Sequence, residues 1–194
     1  RNQEDRKPTL ENVEFGNAGE LSDGNFQLTG SRLEEVTELQ QDGLQIIGKL
    51  PSIYFLTGKK RHFSDAIHEA IKNVPVNVLH LSSTSVTDKG LQHLNLRDLH
   101  TIRLDSTAVT DAGLKYLATA PNLHLLAVKN TGVTDAGIAH FADHPLGTLS
   151  LSDCSLITDK ALEHIKGWGD KGFYFGEIEL ANTKVTDAGL SYVK

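Results

Sequence analysis

Apolar and polar positions recur along the C-terminal two-thirds of the chain in two alternating phrases. The first is Val76-x-x-Leu79-x-Leu81, repeated as Leu99-x-x-Ile102-x-Leu104, Leu123-x-x-Leu126-x-Val128, Leu146-x-x-Leu149-x-Leu151 and Phe175-x-x-Ile178-x-Leu180. Alternation of this kind predicts a short strand with every second side chain turned inward. The second phrase reads Val86-Thr87-Asp88-Lys89-Gly90-Leu91, with near copies at Val109–Leu114, Val133–Ile138, Ile157–Leu162 and Val185–Leu190. Its apolar residues fall at helical spacing after each Thr-Asp pair. Successive Asp residues lie 23, 24, 24 and 28 positions apart. The pattern therefore predicts strands centred near residues 79, 102, 126, 149 and 178, each followed by a short helix opening at Thr-Asp.

Both phrases in register resemble the leucine-rich repeat of the cysteine-containing subtype, whose pattern is close to L-x-x-L-x-L-x-x-C/T-x-x-I/V-T-D-x-G-L. Asp153-Cys154-Ser155-Leu156-Ile157-Thr158-Asp159 is the closest copy, and the others carry Thr where it carries Cys. Such repeats occur in bacterial proteins with a T-V-T-D-A-G-L phrase and in F-box proteins. The resemblance implies an α/β fold, a right-handed solenoid with a parallel sheet on its concave face and short helices on its convex face.

Upstream the pattern decays. Pro51-x-Ile53-x-x-Leu56 with Phe63-Ser64-Asp65 keeps the offsets of a full copy, and Ile67, Ile71 and Val74 supply a helix face. Val13-x-Phe15, Leu21-Ser22-Asp23 and Asp42-Gly43-Leu44 are fainter echoes. Residues 51–194 thus read as repeats, 11–50 as degenerate repeats or an N-terminal cap, since terminal units have a face with no neighbour, and 1–10 as a polar, frayed extension. The chain begins at Arg1, contains no Met and stops inside a repeat, which reads as a processed or truncated form with further repeats or a cap beyond Lys194.

The recurring polar residues have structural explanations. Thr84, Thr107, Thr131, Cys154 and Thr183 fall where the chain leaves a strand, where a small hydroxyl or thiol can bond the turn's own backbone. Thr and Asp then open the helix, one capping an N–H and the other placing negative charge at the positive end of the dipole. No catalytic role is expected of these Asp residues.

Composition narrows the function. With 19 Lys plus Arg against 25 Asp plus Glu, the net charge is −6, and no basic stripe or acidic tail is visible. This argues against nucleic-acid binding and electrostatic membrane attachment. No apolar run reaches the roughly 18 residues of a membrane span, so no membrane insertion is expected. A single cysteine, Cys154, excludes an intrachain disulfide framework and a cysteine-based zinc module. In the Thr column it reads as a buried packing residue rather than a nucleophile, which would need a poised His and an electropositive site.

Other candidates for chemistry are few. The position five after each Asp holds His93, Tyr116, His140, His164 and Tyr192, a ring ladder that reads as half-buried packing and alternatively as a metal or recognition stripe. His144 is four from His140, but Pro145 places it past the helix end. Gly58-Lys59-Lys60-Arg61-His62 is the concentrated basic stretch; lacking the upstream Gly and the Ser/Thr of a phosphate loop, it reads as an exposed loop. The longest interval carries the one Trp, in Lys166-Gly167-Trp168-Gly169, either an insertion covering the core edge or a protruding loop with Trp168 and Tyr174 as anchors. No catalytic, cofactor or metal constellation is apparent.

The expected function is a non-enzymatic protein-interaction module. Its outward strand positions form two rows, His80, Arg103, Ala127, Ser150, Glu179 and Ser82, Asp105, Lys129, Ser152, Ala181, of mixed charge. Such a surface suits a protein or peptide ligand better than nucleic acid. His80, Arg103, Asp105, Lys129 and Glu179 are the candidate contacts, with Trp168 and Tyr174 on the loop. The resemblance also implies an alternative, the substrate-recognition part of an F-box ubiquitin-ligase subunit, although no F-box-like helical segment precedes the repeats in this chain. A further alternative is an enzyme or metal protein using the ring ladder.

Overall fold

A computed structural model describes residues 19–20, 26–28, 53–57, 71–168 and 176–193. The sheet comprises β1 (Gly19–Glu20), β2 (Phe26–Leu28), β3 (Ile53–Thr57), β4 (Val76–His80), β5 (Thr101–Arg103), β6 (Leu125–Ala127), β7 (Thr148–Ser150) and β8 (Glu177–Glu179). Strand order in the sheet follows chain order. β1 and β2 pair antiparallel, and every later neighbouring pair is parallel. Helices α1 (Asp88–Leu91), α2 (Asp111–Leu117), α3 (Asp135–Ala139), α4 (Asp159–His164) and α5 (Asp187–Leu190) follow β4 to β8 in turn, and each packs on the next. All five predicted strand centres lie in strands, and all five predicted helix starts are helix starts. The arrangement is α/β, a largely parallel sheet with short helices.

Strands β4 to β7 form because their inward positions bury their side chains completely. Leu79, Ile102, Leu126 and Leu149 occupy one register row and are sealed from solvent, each contributing about 2 kcal/mol of transfer free energy. Leu81, Leu104, Val128 and Leu151 form the next inward row. From the helix side Leu91, Leu114, Ile138 and Leu162 close the same core.

Each of β4–β8 then turns through one residue in the left-handed region: Ser83, Ser106, Asn130, Asp153 and Asn182, with φ between 52° and 61°. Asn and Asp tolerate this conformation and Ser accepts it at a modest cost. The return comes from the following strand, since Ser83, Ser106, Asn130 and Asp153 donate their N–H groups to Asp105, Lys129, Ser152 and Ala181 at 2.7–3.0 Å. One residue later, Thr84, Thr107, Thr131 and Thr183 donate their hydroxyls to the carbonyl just after their own strand, those of Leu81, Leu104, Val128 and Leu180, at 2.6–2.8 Å. Cys154, the odd member, is fully buried and donates instead across the stack to the Val128 carbonyl at 3.1 Å.

The Thr-Asp pair opens each helix as the sequence predicts, with Asp in the first turn, and does more besides. Thr87, Thr110, Thr134, Thr158 and Thr186 are N-caps, each accepting the N–H two residues on. The Asp also reaches forward to the next unit. Asp88, Asp111, Asp135 and Asp159 accept the N–H and hydroxyl of Thr110, Thr134, Thr158 and Thr186 at 2.6–2.9 Å. This chain of carboxylates stitches successive helix starts together. It also explains the glycine of V-T-D-x-G-L: a Cβ at Gly113 would lie 2.5 Å from the Asp88 carboxylate, and Gly137 and Gly189 sit against Asp111 and Asp159 in the same way.

Several expectations fall outside the described residues, among them the frayed extension at 1–10, the exposed loop Gly58–His62 and the phrase Phe63-Ser64-Asp65 with Ile67. Within 11–50, only β1 and β2 are described. No helix among the described residues is long and apolar enough to cross a membrane.

Candidate functional site

The parallel register aligns His80 with Arg103, Arg103 with Ala127, Ala127 with Ser150, and Ser150 with Glu179. The first candidate row therefore runs straight across five strands on the face opposite the core. Its members differ in exposure. Arg103 and Glu179 are exposed and His80 is half-buried, while Ala127 and Ser150 are only 2% and 7% exposed. Two charged positions thus flank a floor of short, covered side chains, a correction to the expectation of a uniformly outward row. The Ser150 hydroxyl donates to Oε2 of Glu179.

The second row lies where the strands end. Asp105 accepts the Ser82 hydroxyl and the Lys129 N–H, both at 2.9 Å, which fixes its carboxylate between two units. Lys129 pairs with Asp153 at 3.6 Å, both solvent-facing. Asp153 in turn accepts Asn182 Nδ2 at 2.7 Å. Ser152 is buried and Ala181 exposed. A third row, Val78, Thr101, Leu125, Thr148 and Glu177, aligns by the same register. Its first four members are half-buried and Glu177 is exposed. Sequence reasoning passed over this row, although the alternation that defined the other two also defines it.

Electrostatics on this face are asymmetric. Burial pushes the His80 imidazole below its ordinary value; the Arg103 guanidinium adds to the shift and Asp105 opposes it. His80 is consequently neutral at pH 7, and Arg103 is the cation on β5. At the other edge Glu177 and Glu179 are both exposed acids.

Trp168 is not a surface anchor. It is 3% exposed, belongs to the core, and its indole Nε1 donates to the Phe141 carbonyl at 3.1 Å. The expectation of a protruding Trp168 contact is withdrawn, because a ring this large between glycines is worth more buried than displayed. Tyr174 lies outside the described residues.

The ring ladder is not one environment. The Tyr116 hydroxyl donates to the Leu94 carbonyl at 2.7 Å, and burial raises its ionisation above the ordinary value. His93, His140 and His164 are exposed, as is Tyr192. His144 falls after α3, where Nε2 meets the Leu123 carbonyl at 3.0 Å. The close ring pair on the surface is instead His100 with His124, their centroids 5.0 Å apart. They precede β5 and β6 at equivalent places, and the ring of His124 lies over the bare Cα of Gly147 in the next unit. Comparing the residue two before Ile102 and Leu126 would have found them. Burial, with the neighbouring His124, lowers the ionisation of His100.

Among the described residues no group of three or more His, Cys, Asp or Glu is placed to hold a metal ion. Each stitching Asp is committed to hydrogen bonds with the following unit. No protein-family model matches the chain, and no curated protein sequence matches it.

Proposed function

We propose that this chain is a leucine-rich-repeat solenoid of the cysteine-containing subtype and that it acts as a non-enzymatic module, binding a protein or peptide through the sheet face that carries Arg103, Asp105, Lys129 and Glu179. One observation carries the reading: residues from five consecutive strands stand in straight rows on the side away from the core. A regular array of this kind offers extended surface rather than a pocket of converging groups. The solenoid assignment is supported by strand order equal to chain order and by the Thr-Asp-Gly stitching repeated from unit to unit. Charges of both signs on the face, in a chain of net charge −6, favour a polypeptide over a nucleic acid.

Peptides selected from a displayed random library against the immobilised protein test the reading. Bound peptides should slow amide exchange in residues 101–105, 125–129, 148–152 and 177–181. Protection confined to the helices α1–α5, or no selectable peptide, would overturn it.

A further inference from the structure

The sheet face has a polarity that specifies more than the class of ligand. Arg103 on β5 is the exposed cation of the central row, and Glu179 on β8 its exposed anion. Neither forms an ion pair within 4 Å among the described residues, whereas Lys129 and Asp153 in the row beside them pair with each other. Between Arg103 and Glu179 the row holds only Ala127 and Ser150, both short and covered. Glu179 receives one hydroxyl, from Ser150, and a carboxylate has room for several more donors. Arg103 likewise presents a fork of N–H groups suited to a carboxylate.

Resting on the reading of this face as the binding surface, we infer that its ligand is an extended peptide segment lying across the strands, with an acidic side chain at one position and a basic side chain four residues away. Spacing follows from geometry. β5 and β8 are three strand steps apart, and neighbouring strands lie about 4.8 Å apart, so the charged positions are separated by about 14 Å. An extended chain advances about 3.3 Å per residue and spans that distance in about four. Four is also an even number, so both charged side chains project from the same side of the extended segment. The residue midway between them projects toward the Ala127 and Ser150 floor, where a small side chain fits. Charge on the ligand is opposed end to end: its acid meets Arg103 and its base meets Glu179.

Dye-labelled peptides of alternating Ser and Ala, carrying Glu and Lys three, four or five residues apart, test this by fluorescence anisotropy up to millimolar protein. The four-residue spacing should bind most tightly, and the preference should fade with added salt. Arg103→Glu should weaken the Glu/Lys peptide by about fivefold and make a Lys/Lys peptide of the same spacing the better ligand. Glu179→Lys should do the converse with a Glu/Glu peptide. Should either reversal impair folding, judged by circular dichroism, Arg103→Gln and Glu179→Gln should each remove the preference at one end. Equal binding at all three spacings, no response to the reversals, or no binding at millimolar protein would overturn the inference. Library-selected peptides that still protect the sheet in that event leave the binding reading standing; failure of both experiments removes both.

Discussion

Asp111 accepts the Thr134 N–H at 2.8 Å and the Thr134 hydroxyl at 2.7 Å, so its side chain acts across a boundary between units. Asp111→Ala leaves both donors without that acceptor and should cost about 2 kcal/mol in urea denaturation, in the range for hydrogen bonds to a charged group. Gly137 gives an independent measure of the same contact. A methyl group there collides with the Asp111 carboxylate and approaches Leu114, so Gly137→Ala should destabilise by about 1–3 kcal/mol even though alanine favours helices. In the fourth unit the equivalent residue is Ala161, fully buried, while Asp135 keeps both bonds to Thr158. That unit accommodates a buried methyl without losing the Asp135 bonds, and Ala161→Gly should therefore lose stability rather than gain it. Cys154 tests the column beside it. Its thiol is sealed from solvent and should react with thiol reagents only on unfolding. In Cys154→Thr the hydroxyl has the Leu151 carbonyl within its own turn, the bond that Thr84, Thr107, Thr131 and Thr183 make. The change should cost less than about 1 kcal/mol.

At the scale of the element, stacking turns single residues into columns, and single members of those columns respond to pH. The imidazoles of His80 and His100 are held below their ordinary value of 6.5, which means the folded chain binds those protons less readily than the unfolded one. Their contribution to stability is complete above pH 6.5 and is lost as the pH falls through the lowered folded values. Asp159, held down by the backbone and hydroxyl of Thr186, contributes in a separate window, complete above 3.8 and lost below it. Melting temperature followed from pH 7.5 downward should begin to fall near 6.5, and His100→Asn should flatten that first decline while leaving the acid limb in place. An unchanged first decline would mean that His100 is not among the groups titrating there. These columns also mark what the sequence could reveal. Strands and helix starts were readable because five near copies repeat one period, and a period survives translation into distance. The direction of the Asp side chains was not, because a capping residue and a residue reaching to the next unit have the same local spacing. Trp168 carried two readings, a cover for the core edge or a surface anchor, and only the first fits its buried ring; it has no sibling at an equivalent position, so no column decided between them. His100 and His124 escaped notice because they occupy a variable position of the apolar phrases, in a column whose other members, Asn77 and Gly147, carry no ring.

Across the stack of β4–β8, each unit packs chiefly on the units either side, and the unit of β8 is less covered than those before it. Leu81, Leu104, Val128 and Leu151 each donate an N–H to the following strand at 2.8–3.0 Å; Leu180, in the same place on β8, has no following strand among the described residues. The inward side chains of that unit report the same difference. Ile178, Leu180 and Val185 are only half-buried, and Leu190 is 44% exposed, whereas Leu114 and Ile138 at its helix position are sealed. Local opening is cheapest where few apolar contacts and exposed backbone bonds coincide. Residues 177–193 should therefore exchange their amide protons well before 101–160 do, by at least a factor of ten at equal intrinsic rate. Truncation should follow the same gradient. Leu114→Ala or Ile138→Ala removes fully buried methyl groups between two neighbours and should cost about 3 kcal/mol, whereas Leu190→Ala should cost less than about 1. The comparison also bears on the binding face, because Glu177 and Glu179 sit on β8, the least buried of β4–β8. A peptide that engages Glu179 restrains β8 against β7, so its binding should slow exchange in 177–181 more than in any other strand. Uniform exchange along the chain, or equal losses for Leu190→Ala and Leu114→Ala, would show that stability is shared globally and not passed from unit to unit.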